Sequence, residues 1–114
     1  MIVGFGIIEL WIGESRSLKE KRAILSRIIK HVQNHFNVSI AEVGDNDHWK
    51  KAKVGIGVVG NEHSYVNGKI DHILRVIDNL RTAEVVNTKI EIIGLSDPVE
   101  RTGYEDKYDE LQES

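Results

Sequence analysis

Residues 2–12 are dense in Ile, Val, Phe and Trp and predict a long first strand. Ser17 and Glu20 stand three apart, the spacing of a capping box, and mark the start of a helix. Leu18, Leu25, Ile28, Ile29, Val32 and Phe36 then recur at helical steps, so that helix runs to about Phe36. Residues 37–43 predict a second strand, Gly44-Asp45-Asn46-Asp47 a turn, and residues 52–59 a third strand. Asn61 or Ser64 can cap a second helix with an apolar stripe of Val66, Ile70, Ile73, Leu74, Ile77 and Leu80. Gly68 interrupts it at a cost of roughly 1 kcal/mol relative to Ala. Residues 84–93 predict the fourth strand, and no internal repeat is present.

The order β-α-β-β-α-β is that of the split βαβ motif. It predicts an α+β, ferredoxin-like domain: a four-stranded antiparallel sheet of order 4-1-3-2, with both helices on one face through right-handed crossovers. Residues 1–95 form this domain, and residues 96–114 an acidic C-terminal tail, loose or folded into one short docked helix. This topology gathers the end of strand one, the start of helix one, the turn after strand two and the link after helix two at one end. Arg16, Lys19, Arg22, Asp45, Asp47, His48, Trp49, Lys50 and Arg81 are expected to meet there. Trp49, in a short polar turn, is expected to fold back beside the first helix's start.

The alternation within the strands predicts which residues face away from the helices. Glu9 assigns Val3, Phe5, Ile7, Glu9 and Trp11 to the open face, and Lys53, Gly55, Gly57 and Val59 to the corresponding row of strand three. Strand two is ambiguous, because Val38, Ile40 and Glu42 alternate with Ser39, Ala41 and Val43. The glycines beside Phe5 and Ile7 make a flat surface that accepts close approach. A sheet face this apolar calls for a covering partner or a second copy of the chain.

Charge changes the picture only when it is divided. The 114 residues carry a net charge of −3, yet the tail holds seven acids against two cations, a net −5. The remainder holds 13 basic and 11 acidic groups, a net +2. A mildly basic body permits nucleic-acid binding without the strong footprint of a dedicated binder. The acidic tail could compete with nucleic acid for the basic end. The chain has no cysteine, so disulfides and thiolate metal sites are excluded. No apolar run reaches membrane-spanning length and a strand pattern begins at Met1, so a cytoplasmic protein without membrane contact is expected.

Few residues suggest chemistry. Gly55-x-Gly57-x-x-Gly60 matches the dinucleotide fingerprint formally, but the glycines alternate with Ile56 and Val58 as a strand does, and the chain is too short for a two-half Rossmann domain. His31 and His35, four apart, have no third ligand nearby, and His48 with Asp45 and Asp47 is an equally weak cluster. Ser15, Ser17 and Ser26 have no argued base, and Ser17 reads as a cap. Neither a catalytic set, a metal site nor a cofactor is expected.

The remaining signal is cationic. Lys19, Lys21 and Arg22 crowd the first turns of a helix, where the dipole already favours anions. Lys19, Arg22 and Lys30 follow one stripe, and Lys50, Lys51 and Lys53 lie on the adjoining hairpin. Strand three offers glycines where sheet-based RNA readers carry stacking rings, so any RNA contact runs through the phosphate backbone. The plain alternative is a solvated charged helix.

Ser17-Leu18-Lys19-Glu20-Lys21-Arg22, with residues 36–43 and Trp49, resembles the YlxP-like family of small bacterial proteins over roughly residues 1–95. The tail lies outside that pattern. The resemblance implies a ferredoxin-like fold, no established catalytic residue, and a link to ribosomes, because such proteins are often encoded beside ribosome-maturation and translation-initiation factors. Two functional expectations result. One is a non-enzymatic module contacting ribosomal RNA or a ribosomal particle, with phosphates at the first helix's N-terminus. The other is a homodimer closed over the open face through Val3, Phe5, Ile7, Trp11 and Val59.

Overall fold

A computed structural model of the chain describes residues 1–99. The elements are β1 (Ile2–Trp11), α1 (Leu18–His35), β2 (Ser39–Gly44), β3 (Lys51–Gly60), α2 (His63–Asn79) and β4 (Glu84–Gly94). The strands form one antiparallel sheet of order β2-β3-β1-β4. This is the ferredoxin-like βαββαβ fold expected from the sequence. The tail's docked helix falls mostly outside the described residues.

Both helices cover one face of the sheet. Ile8, Leu10, Ala52, Val54, Ile56 and Val58 point toward them and are buried against Leu25, Ile28 and Val32 of α1 and Val66, Ile70, Ile73 and Ile77 of α2. Each of the larger aliphatic side chains stabilises the fold by roughly 1.5–3 kcal/mol on burial, which locks the register of both central strands. In β2 the ambiguity resolves: Ile40 and Glu42 turn toward the helices, while Ser39, Ala41 and Val43 are exposed on the open face.

The start of α2 differs from expectation. Its N-cap is Glu62 in extended conformation, with no side-chain capping bond, rather than Asn61 or Ser64. Packing sets this boundary. A Cβ at Gly4 would sit 2.6 Å from Val66 Cγ1, and one at Gly60 would sit 2.9 Å from Val66 Cγ2. Val66 is thus clamped between two glycines, and the helix begins where that clamp requires.

Two irregularities interrupt the ladders. The β1–β4 register shifts between Glu9 and Leu10, leaving Val86 as the extra residue on the β4 edge. The β2–β3 register shifts between Glu42 and Gly44, leaving Val43 extra on the other edge.

Candidate functional site

The helix start is built by a capping-box variant whose return bond reaches the residue before the N-cap. Ser17 Oγ accepts from the Glu20 amide at 3.1 Å, and the Glu20 carboxylate accepts from the Arg16 amide. Ser15, fully buried, donates from Oγ to the Ser17 carbonyl at 2.9 Å. The expected anion position at the N-terminus therefore already faces a carboxylate of the chain itself.

Lys21 does not join the exposed cations. It is fully buried, and its Nζ donates to the carbonyls of Asp45 at 2.7 Å, Lys51 at 3.2 Å and Asn46 at 3.4 Å, with Glu42 Oε2 at 3.9 Å. Sequence reasoning missed this role, though a signal was present. Leu18, Lys21, Leu25, Ile28 and Val32 step by three and four, so Lys21 occupies a core position of the stripe. The buried ammonium is satisfied by carbonyls of the β2–β3 turn and the start of β3; Asp45, at φ 56°, shares its carbonyl between Lys21 and the His48 amide. Glu42 faces the core for the same reason.

Lys50 is also engaged. Its Nζ donates to the Gly13 carbonyl and lies 5.9 Å from the Trp11 ring centroid and 5.5 Å from that of Trp49. Trp49 is 46% exposed, so its ring stands at the surface instead of folding into the core edge. His48 Nδ1 accepts from the amides of Lys50 and Lys51, both at 3.1 Å, and shapes the turn. These bonds do bring the β1 end, the α1 start and the β2–β3 turn together.

Apart from Lys50, which is held by the Gly13 carbonyl, the candidate cations divide between two surfaces. Lys19, Arg22 and Lys30 are exposed on the outer side of α1. Eleven residues separate Lys19 from Lys30, so the stripe is about 16 Å long. Arg27 flanks it, with its Nε turned back to the Ala23 carbonyl at 3.3 Å. Glu20 is the single acid of α1 and is committed to the capping box. Among the described residues the one ion pair is Lys21–Glu42, so none of these outer cations is neutralised there. Lys51 and Lys53 instead belong to the open sheet face, paired in register with Trp11 and Glu9.

That face carries the expected apolar row. Phe5, Ile7 and Trp11 are about 40% exposed and Val59 is 62% exposed, with Val3 half-buried beside it. A groove of about 560 Å³ runs along Phe5 and Ile7 over Gly55 and Gly57, and reaches Lys89 and Glu91 on β4. Val43 leans over Gly55, whereas Gly57 lies open: a Cβ there would meet only Ser39 Cβ, at 3.9 Å.

The remaining sequence candidates fall elsewhere. The Gly55-Gly57-Gly60 series lies inside β3. His31 and His35 stack at 4.3 Å, and His35 Nδ1 contacts the His31 carbonyl at 2.8 Å. Among the described residues no three His, Asp or Glu side chains converge as metal ligands, and no helix is long and apolar enough to cross a membrane.

Comparison with known proteins gives a consistent result. Residues 3–90 match the family described as "Protein of unknown function (DUF503)". The uncharacterized protein YlxP of Bacillus subtilis (strain 168) is 39% identical over 90 residues, covering 79% of this chain and 98% of that protein. Among solved structures, the de novo designed protein LFR1 1 with ferredoxin fold aligns at 18% identity and TM-score 0.46, over 89% of this chain and 95% of its own. The de novo designed protein Foldit4 aligns at 18% identity and TM-score 0.44, over 86% of this chain and all of its own.

Proposed function

The chain belongs to the DUF503 family, and from that premise we propose that it is a non-enzymatic binding module that lays the outer side of α1 on the phosphate backbone of RNA. One observation carries this reading. The exposed side of an 18-residue helix presents Lys19, Arg22, Arg27 and Lys30, while its single acid is folded back into the cap. Lys19, Arg22 and Lys30 form the central stripe, and binding through them needs no base readout. The contact moves from the helix tip to its flank, because Glu20 occupies the tip and Lys21 is spent on the hairpin. Ribosomal RNA or a ribosomal particle is the partner implied by the resemblance of the Ser17–Arg22 block. A cytoplasmic setting accompanies that partner.

Co-sedimentation with ribosomal subunits across a salt series tests this. Binding should fall steeply with salt, each phosphate contact contributing a slope of about −0.7 to −0.9 in the log–log plot. The double variant Lys19→Glu/Arg22→Glu should bind at least about tenfold more weakly, with a slope shallower by about two contacts. Binding that ignores salt, or survives the double reversal, would remove α1 as the contact.

A further inference from the structure

Among the described residues nothing covers the open sheet face, and its own register says what fits it. The central strands pair Val3 with Val59, Phe5 with Gly57, Ile7 with Gly55, Glu9 with Lys53 and Trp11 with Lys51. On the open side β1 is therefore a ridge of large side chains, and β3 beside it is a trough floored by glycine. A ridge alongside a parallel trough is self-complementary under a two-fold axis that runs along the strands between them.

We propose that this face binds a second copy of the chain in that arrangement, β1 of each copy seated over β3 of the other. The rotation sets Phe5 above the open Gly57 of the partner and the smaller Ile7 above Gly55, where Val43 has already taken part of the space. It sets Val3 against Val59 and the Trp11 ring against Lys51. It also sets Glu9 above Lys53 and Lys53 above Glu9, so both charged rows meet their opposites. A single rotation satisfies shape and charge together, which is the argument for a copy over an unrelated partner.

The charge balance of the face agrees. Lys51, Lys53 and Lys89 are matched by Glu9, Glu84 and Glu91, so two copies meet without net repulsion. Sheets stacked this way sit about 10 Å apart and about 30° from parallel, so the match is closest around Phe5 and Ile7. Three strands of about 33 Å and the shorter β2 of about 20 Å, set about 4.8 Å apart, offer roughly 600 Å² per copy. That places the dimer at the lower end of stable interfaces. Both helix layers point outward in this dimer. The inference is thus independent of the RNA reading and compatible with it.

Sedimentation velocity over a concentration series, with circular dichroism as the fold control, decides it. The wild-type chain should pass from monomer to dimer as its concentration rises, with little dependence on salt. Gly57→Leu has room in the single chain but fills the trough, and should weaken the dimer by at least about tenfold with an unchanged spectrum. Glu9→Lys should weaken it by placing like charges face to face, and Glu9→Lys/Lys53→Glu should restore it. A wild-type chain that stays monomeric up to its solubility limit overturns the proposal. A dimer indifferent to Gly57→Leu also does so, and a double reversal that fails to rescue rules out this register.

Discussion

α1 and α2 are nearly equal in length, at 18 and 17 residues, and both bury an apolar stripe on the same face of the sheet. Their outward sides differ. α1 presents four exposed cations, Lys19, Arg22, Arg27 and Lys30, and one acid, whereas α2 balances Lys69 and Arg75 against Asp71 and Asp78. Their ends differ in the same sense. α1 begins in a two-way capping box and is tied to the β2–β3 turn through Lys21, while α2 begins without a side-chain cap and tolerates Gly68 near its start. A helix used only to cover a core needs its inner stripe. The extra fastening of α1 is what a helix requires when its outer side must be held in a fixed position, because clustered cations repel one another and lower its own stability.

Breaking the fastening of α1 should have the largest effect. Lys21→Met keeps the length and removes the charge, leaving the Lys51 carbonyl and Glu42 without their donor and the Asp45 carbonyl with the His48 amide alone. It should lower the unfolding free energy in urea by about 3 kcal/mol. A loss well under about 1 kcal/mol would mean that water replaces the ammonium. Ser17→Ala removes one arm of the capping box and should cost about 1 kcal/mol by the same measurement. The smallest change sharpens the contrast from the other side. A Cβ at Gly68 meets nothing within 4 Å. Gly68→Ala should therefore raise stability by about 0.5–1 kcal/mol, and no gain would show that the glycine has a packing role in α2.

Much of the fold was legible because each strand and helix carries its own period. The odd-numbered row of β1 was assignable from Glu9 alone, since a single charge in an apolar strand identifies the solvent side. The same logic does not carry to β2, whose faces stay ambiguous in the sequence because Glu42 sits on the core side. Lys21 and Glu42 are one feature seen twice: each looks like a surface residue in its own segment, and only their meeting across 21 positions buries the lysine and half-buries the glutamate. Local patterning has no access to a pair of that kind. The start of α2 escaped for a related reason. Its boundary follows from Val66 filling the space above Gly4 and Gly60, so the capping residues nearby carried no information. The cationic stripe was readable as spacing, but not the commitment of Glu20, Lys21 and Lys50 to the chain itself, which decides which charges remain available.

The two bulges bear on a hazard that every open sheet faces. β2 and β4 are the sheet's edges, and each presents unpaired backbone donors and acceptors that another strand could extend. Val43 and Val86 interrupt those edges at the same end of the sheet, opposite Lys53 and beside Glu9. An extra residue there increases the local twist and spoils the straight ladder that an added strand would need. Edge-on addition repeats without limit and leads to fibres, whereas a two-fold contact through a face saturates at two copies. A sheet blunted at both margins is thereby protected against open-ended growth, even with an apolar surface exposed between them.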